Sequence, residues 1–143
     1  MTLLGLDVGE KRIGIARSDE LNFMAHGLGF IECRSEAHVV QVLNQYLKEF
    51  RVHKIVVGLP KTLKGETGIQ AEKVLSFVEQ LRAHVLCPVV TWDERLTTVQ
   101  AERALIEQDM SRSRRRVRRD AFAAELMLQS YLDFSRGRDK ADV

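Results

Sequence analysis

A chain of 143 residues carrying 45% hydrophobic and 29% charged residues is long enough to bury a core as one domain without staples. Its net charge of +2 singles out no partner class, and no apolar run approaches the roughly 20 residues of a membrane span. The start lacks a basic segment leading into an apolar signal region, so no membrane role and a cytoplasmic location are expected. Cys33 and Cys87 lie too far apart for a disulfide framework or a zinc-site spacing, and His26, His38, His53 and His84 are scattered without metal-ligand spacing.

Leu3, Leu4, Leu6 and Val8 form the nearly continuous apolar run of a strand covered on both faces, and Asp7 interrupts it. Gly9 to Arg12 supply a turn and Ile13 to Ala16 a second strand, so the segment reads as a β-hairpin with Asp7 near its turn. A carboxylate withdrawn from water needs a partner or a metal; the plainer alternative is an Asp that hydrogen-bonds turn backbone. Gly27 to Cys33 reads as a third strand. Val39, Val40, Leu43, Tyr46, Leu47 and Phe50 then recur at helical spacing behind a candidate cap, Ser35. Lys54 to Pro60 is a buried strand ending at a proline, and a helix between two strands implies a parallel crossover.

The polar loop Lys61 to Gly68 opens onto a helix bearing Val74, Phe77, Val78 and Leu81. Loops at the carboxyl ends of parallel strands are where open α/β sheets place ligands, so Lys61, Lys64 and Thr67 are candidate phosphate contacts, with a plain surface connection as the alternative. Pro88 to Asp93 is a fifth strand. Thr97 to Gln100 has the form of a capping box, so a helix is expected just after Asp93 and Glu94. These two acids either serve that helix start or join a site.

Arg112 to Arg119, RSRRRVRR, is a phosphate-seeking block with six arginines in eight residues. Asp120, Ala123, Ala124, Met127, Leu128 and Tyr131 share one face of a final helix, which would aim Asp120 at the sheet, with an Arg pair in the block as the alternative use. Glu125 and Asp133 are expected to be solvated, and the tail after Phe134, from about residue 135, to be frayed.

Three acidic sites, Asp7, Asp93 with Glu94, and Asp120, thus fall beside elements that reach one rim of the sheet. Carboxylate clusters hold hard cations such as Mg²⁺ or Mn²⁺, and two such ions suit phosphodiester hydrolysis. Neighbouring strand residues point to opposite faces, so only one of Asp93 and Glu94 can join Asp7; Glu94 is the preferred ligand, with Asp93 supporting it. Lys11, Arg12, Arg95 and the arginines of the block, Arg112, Arg114, Arg115, Arg116, Arg118 and Arg119, are the candidate nucleic-acid contacts, anchoring phosphates without selecting sequence.

The stretches GLDVGEKRIGIARSD, IVVGLP followed by KGETG, WDERLTT and RRDAFAAELMLQSYLD resemble, in order, the four signature blocks of the YqgF/RuvX family of Holliday junction resolvases or pre-16S ribosomal RNA nucleases. The resemblance covers almost the whole chain. It implies an α/β, RNase H-like fold, a five-stranded mixed sheet flanked by helices, with metal-bound carboxylates at Asp7, at Asp93 or Glu94, and at Asp120. It implies branched DNA or the ribosomal RNA precursor as substrate, cut by a monomer or homodimer. The dense arginine block departs from the family pattern. Asp7-Val8-Gly9 also resembles the phosphate loop of actin-like and sugar kinases, which need a duplicated domain for which the chain has no room. A catalytically silent nucleic-acid-binding module acting in ribosome assembly is the remaining alternative.

Overall fold

Strand alternation makes two different faces from one apolar run. In the computed structural model, which describes residues 1–60, 68–97, 99–107 and 111–141 with side chains as far as residue 136, strand β1 (Thr2–Val8) occupies the middle of a five-stranded sheet. Its neighbour β2 (Arg12–Ser18) pairs antiparallel through a turn in which the Gly9 N–H donates to the Arg12 carbonyl at 2.8 Å. Strand β3 (Ala25–Glu32) pairs antiparallel with β2. Helix α1 (Glu36–Glu49) starts where Ser35 Oγ accepts from the His38 N–H at 3.1 Å, as its sequence position predicts.

Strand β4 (Val52–Leu59) then lies parallel to β1, helix α2 (Ile69–Arg82) crosses over, and strand β5 (Val89–Asp93) lies parallel to β4. The order across the sheet is β3-β2-β1-β4-β5. Leu4, Leu6, Ile13, Ile15, Ile55 and Val57 face α1 and α2 and close a core with Leu43, Val74, Val78 and Leu81. Full burial of each such side chain stabilises by about 1.5–3 kcal/mol.

The opposite face is covered mainly by the last helix, with the helix before it against β3. After a short 3-10 turn (Glu94–Leu96) come α3 (Val99–Ile106), α4 (Arg112–Asp120) and α5 (Phe122–Ala141). Ala124, Met127, Leu128 and Leu132 of α5 pack on Leu3, Ala16 and Val56, and Tyr131 meets Trp92 edge-on with ring centroids 5.4 Å apart. Among the described residues no helix is long and apolar enough to cross a membrane.

The final helix expected to start at Asp120 begins only at Phe122, and Asp120 belongs instead to a separate helix formed by the arginine block. The backbone breaks at Ala121 (φ −114°, ψ 12°), whose N–H is shared between the Val117 and Arg118 carbonyls. Asp120 therefore ends α4, exposed, and does not stand in register with the apolar stripe of α5. The backbone of α5 also continues to Ala141, past the point where a frayed tail was expected.

Two acids expected in solvent are not there. Glu125 is fully buried, and Asp133 is half-buried, accepting from Gln129 Nε2 at 3.1 Å and paired with Arg136. The reason lies in edge strand β3, whose Gly27 and Ala25 N–H groups donate to Glu125 Oε1 at 2.8 Å and Gln129 Oε1 at 2.9 Å. Buried backbone donors require acceptors, and α5 supplies them one turn apart.

Candidate active site

Because Leu4, Leu6 and Val8 face α1 and α2, alternation turns Asp7 to the α5 face at the carboxyl end of β1. The same rule on β5 puts Val89 in the α1/α2 core and Trp92 on the α5 side, and Glu94, in the turn just past the strand's end, emerges on Asp7's face. Glu94 comes close enough to Asp7 for the two carboxyl groups to act on each other. Burial first, then the interaction with the Asp7 carboxyl and the charges of Asp7 and Asp93, push Glu94 from its ordinary value near 4.5 to about 7. Glu94 therefore keeps its proton to higher pH than an isolated carboxylic acid would.

The reach of Glu94 depends on a missing side chain. A Cβ placed on Gly58 of β4 would stand 2.6 Å from Glu94 Oε1 and 3.2 Å from its Cγ, so any side chain there would push the Glu94 carboxylate off its path across β4. Asp93 faces the other way. It caps the 3-10 turn by accepting from the Arg95 N–H at 2.9 Å, and its Oδ2 pairs with Arg95 Nη2 at 2.7 Å. Asp93 thus makes its close contacts with Arg95 while adding negative charge near Glu94.

Asp120 arrives from the end of α4. Its carbonyl oxygen lies 3.8 Å, and the Ala124 Cβ 3.6 Å, from where a Cβ on Gly14 would be, and the Asp7 Cβ lies 3.8 Å from the same point. Gly14 is the register partner of Asp7, so the backbone of Asp120 sits beside the acid pair with its side chain in solvent. Among the described residues no three acids are drawn together tightly enough to form a finished cation cage. The donor set nonetheless suits a hard divalent cation: carboxylate oxygens only, with the charges of Asp7 and Asp93 repelling that of Glu94, a repulsion a cation would relieve.

The candidate nucleic-acid contacts divide into groups. Lys11 and Arg12 are exposed in the hairpin turn, Arg12 lying 4.5 Å over the Phe30 ring. Arg95 is engaged with Asp93. Lys61, Lys64 and Thr67 lie outside the described residues, as does Thr98 of the expected capping box; Thr97 is extended and α3 begins at Val99. Arg112, Arg115, Arg116 and Arg119 line one shallow groove on α4, at the i, i+3, i+4, i+7 spacing of a single helix face. Arg114 is exposed as well. Arg118 is a correction: it turns inward, its Nε 2.9 Å from Glu125 Oε2 and its guanidinium also donating to the Leu105 carbonyl. A buried carboxylate takes it from the phosphate-facing set.

A family model described as RuvX, Holliday junction resolvase, matches residues 1–134. The chain belongs to the RuvX family. It is 51% identical over 134 residues to a protein of Caldanaerobacter subterraneus subsp. tengcongensis and 44% identical over 133 residues to one of Desulforudis audaxviator, each named "Putative pre-16S rRNA nuclease". These alignments cover 93% of this chain and 96% and 94% of the relatives. Two solved structures share its RNase H-like fold: Thermus thermophilus RuvC in complex with a Holliday junction (TM-score 0.59, 16% identity, 96% of each chain) and the fowlpox virus Holliday junction resolvase (TM-score 0.56, 14% identity, 93% of this chain and 99% of that one).

For this RuvX chain, reading by residue type passed over Gly14, Gly58 and the Arg118–Glu125 pair. Glycines that make room for a neighbour carry no chemical signal of their own. Arg118 looks like five other arginines in the block, and only Glu125, seven residues on and in the next helix, distinguishes it.

Proposed function

We propose that this protein is a nuclease that hydrolyses phosphodiester bonds with the help of Mg²⁺ or Mn²⁺ held by Asp7, Glu94 and Asp120. The observation that carries the reading is the convergence of two acids at the carboxyl ends of parallel strands, Asp7 on β1 and Glu94 just after β5, with Glu94 lying over Gly58 of the strand between them and raised to about 7. A bound divalent cation supplies charge neutralisation and lowers the pKa of the attacking water. The protein's own part is to present oxygen donors. Asp7 is fixed by β1 at the centre of the sheet, Glu94 is led across Gly58, and Asp93 holds the 3-10 turn behind Glu94 through Arg95. The arginine face of α4 ends one residue before Asp120, so a strand bound along it is delivered to the acids by its phosphates.

The names of relatives at 44–51% identity favour ribosomal RNA precursor, trimmed at its 5′ end, over branched DNA, which is attached to this fold by neighbours at 14–16% identity. Resolving a junction needs two symmetric cuts and hence a dimer, whereas trimming an end needs one chain. The test is cleavage by purified protein of precursor RNA, a four-way junction and single-stranded DNA, with Mg²⁺ or Mn²⁺ and with chelator. Cleavage should require the metal, and Asp7→Asn should lower it by about a thousandfold or more, the equivalent of roughly 4 kcal/mol of charge stabilisation, while the fold persists. Metal-independent cleavage, or an active Asp7→Asn protein free of contaminants, would sink the reading; binding without cleavage would point to the assembly module.

A further inference from the structure

Burying an ion pair usually costs more in desolvation than its attraction returns, and such pairs are best understood through the geometry they hold. The Arg118 side chain is 13% exposed and that of Glu125 1%. Together they touch four elements: Arg118 leaves α4 and reaches the Leu105 carbonyl in the last turn of α3, while Glu125 on α5 accepts from Arg118 with one oxygen and from the β3 backbone at Gly27 with the other. Arg118 also satisfies a carbonyl at the C-terminal end of α3, where positive charge is favoured.

What this pair holds is the elbow between α4 and α5. The elbow rests on a glycine of edge strand β3. A Cβ on Gly27 would stand 2.6 Å from Glu125 Oε1, 3.0 Å from the Ala121 Cβ and 3.3 Å from the Arg118 Cα; next to it, on β2, the Asp120 carbonyl and Ala124 pack at ordinary distance over Gly14, the register partner of Asp7. Helix α4 is poorly able to hold this position alone. It has nine residues, six of them arginine, and no acid in its first turn, so length, charge repulsion and dipole all disfavour it in isolation.

We propose that Arg118 and Glu125 are a positioning pair that locks the α4–α5 elbow onto its glycine seat, setting where Asp120 stands relative to Asp7, while the outward arginines of the same helix take the nucleic-acid backbone. The proposal rests on the nuclease reading and divides one arginine block between two jobs. Its removal should disturb the metal site and leave the electrostatic grip on nucleic acid intact.

Three variants test it in the full-length chain: Arg118→Met; Glu125→Gln, which keeps an acceptor for Gly27; and Gly27→Ala, which crowds the elbow without altering charge. Circular dichroism checks the fold, calorimetry reads Mn²⁺ affinity without nucleic acid, and binding of a labelled single-stranded oligonucleotide in EDTA is followed against salt. Mn²⁺ affinity should fall about 10-fold, the scale at which groups that orient ligands act, and kcat should fall with KM unchanged. The salt slope should match that of the unaltered protein, whereas loss of one true phosphate contact would reduce it by about 0.7 on a single strand. Folded variants with unchanged Mn²⁺ affinity and kcat would overturn the proposal, as would a slope reduced by that amount in Arg118→Met. Should Arg118→Met fail to fold, the other two variants decide. An unaltered protein that neither binds Mn²⁺ nor cleaves would instead overturn the nuclease reading, and the positioning pair with it.

Discussion

The two faces of the sheet are made by the same strands and do opposite things. On the α1/α2 face, Leu4, Leu6, Ile15, Ile55 and Val57 are wholly buried and the contact is apolar throughout. On the α5 face, the alternate positions of those strands hold Asp7, Gly14 and Gly58, and the helix above brings buried Glu125 and Gln129. Both faces bury an apolar core, but only the α5 face also gives positions to an acid and to open glycines. A site can be built there because the α1/α2 core does not depend on those positions.

The comparison breaks most sharply at Leu6, which is fully buried next in sequence to Asp7. Leu6→Ala should destabilise by about 2–5 kcal/mol, read by denaturant unfolding, whereas Gly58→Ala on the opposite face should cost under about 1 kcal/mol, because the Cβ meets the mobile end of Glu94. The second change should show itself elsewhere, as an approximately 10-fold loss of Mn²⁺ affinity. Equal stability losses from both would erase the distinction between the faces.

The next effect depends on pH. Glu94 is raised from near 4.5 to about 7 by burial, by Asp7 and by the nearby charge of Asp93. Between these values the folded protein binds more protons than the unfolded chain, so metal-free stability is full below about pH 4.5 and falls as pH rises through about 7. Glu94 is only half-buried, and with solvent screening the loss should be about 1–2 kcal/mol. Glu94→Gln should remove that slope in chemical denaturation run in EDTA. An unchanged slope would mean that the acids are not coupled.

The smallest effect tests the outer surface. Replacing Arg115 and Arg116 by Ala should leave stability within about 0.5 kcal/mol, since both are exposed, and lower the salt slope of single-strand binding by up to about 1.4. Replacing exposed Arg34, which is paired with Glu32 and lies outside the arginine block, should not.

The hairpin, the parallel crossovers and the position of Asp7 were legible because each follows from local pattern: period-two alternation, a Ser cap, a proline ending a strand. Alternation would separate Asp93 from Glu94 as neighbours on a strand, but β5 ends at Asp93 and Glu94 opens a 3-10 turn, so the two acids are separated by the strand's end rather than by alternation. The break at Ala121 could not be read the same way. The helical stripe from Asp120 to Tyr131 is continuous in sequence, and it is interrupted only because α4 must lie against β3 while α5 crosses the sheet. The burial of Glu125 and the diversion of Arg118 were decided there too. A carboxylate looks solvated until an edge strand 98 residues away presents an unpaired N–H, and an arginine looks like its neighbours until a buried charge selects it. Local periodicity is written in the chain, but the partner of a buried polar group depends on which elements the fold brings together, and tertiary packing alone makes that choice.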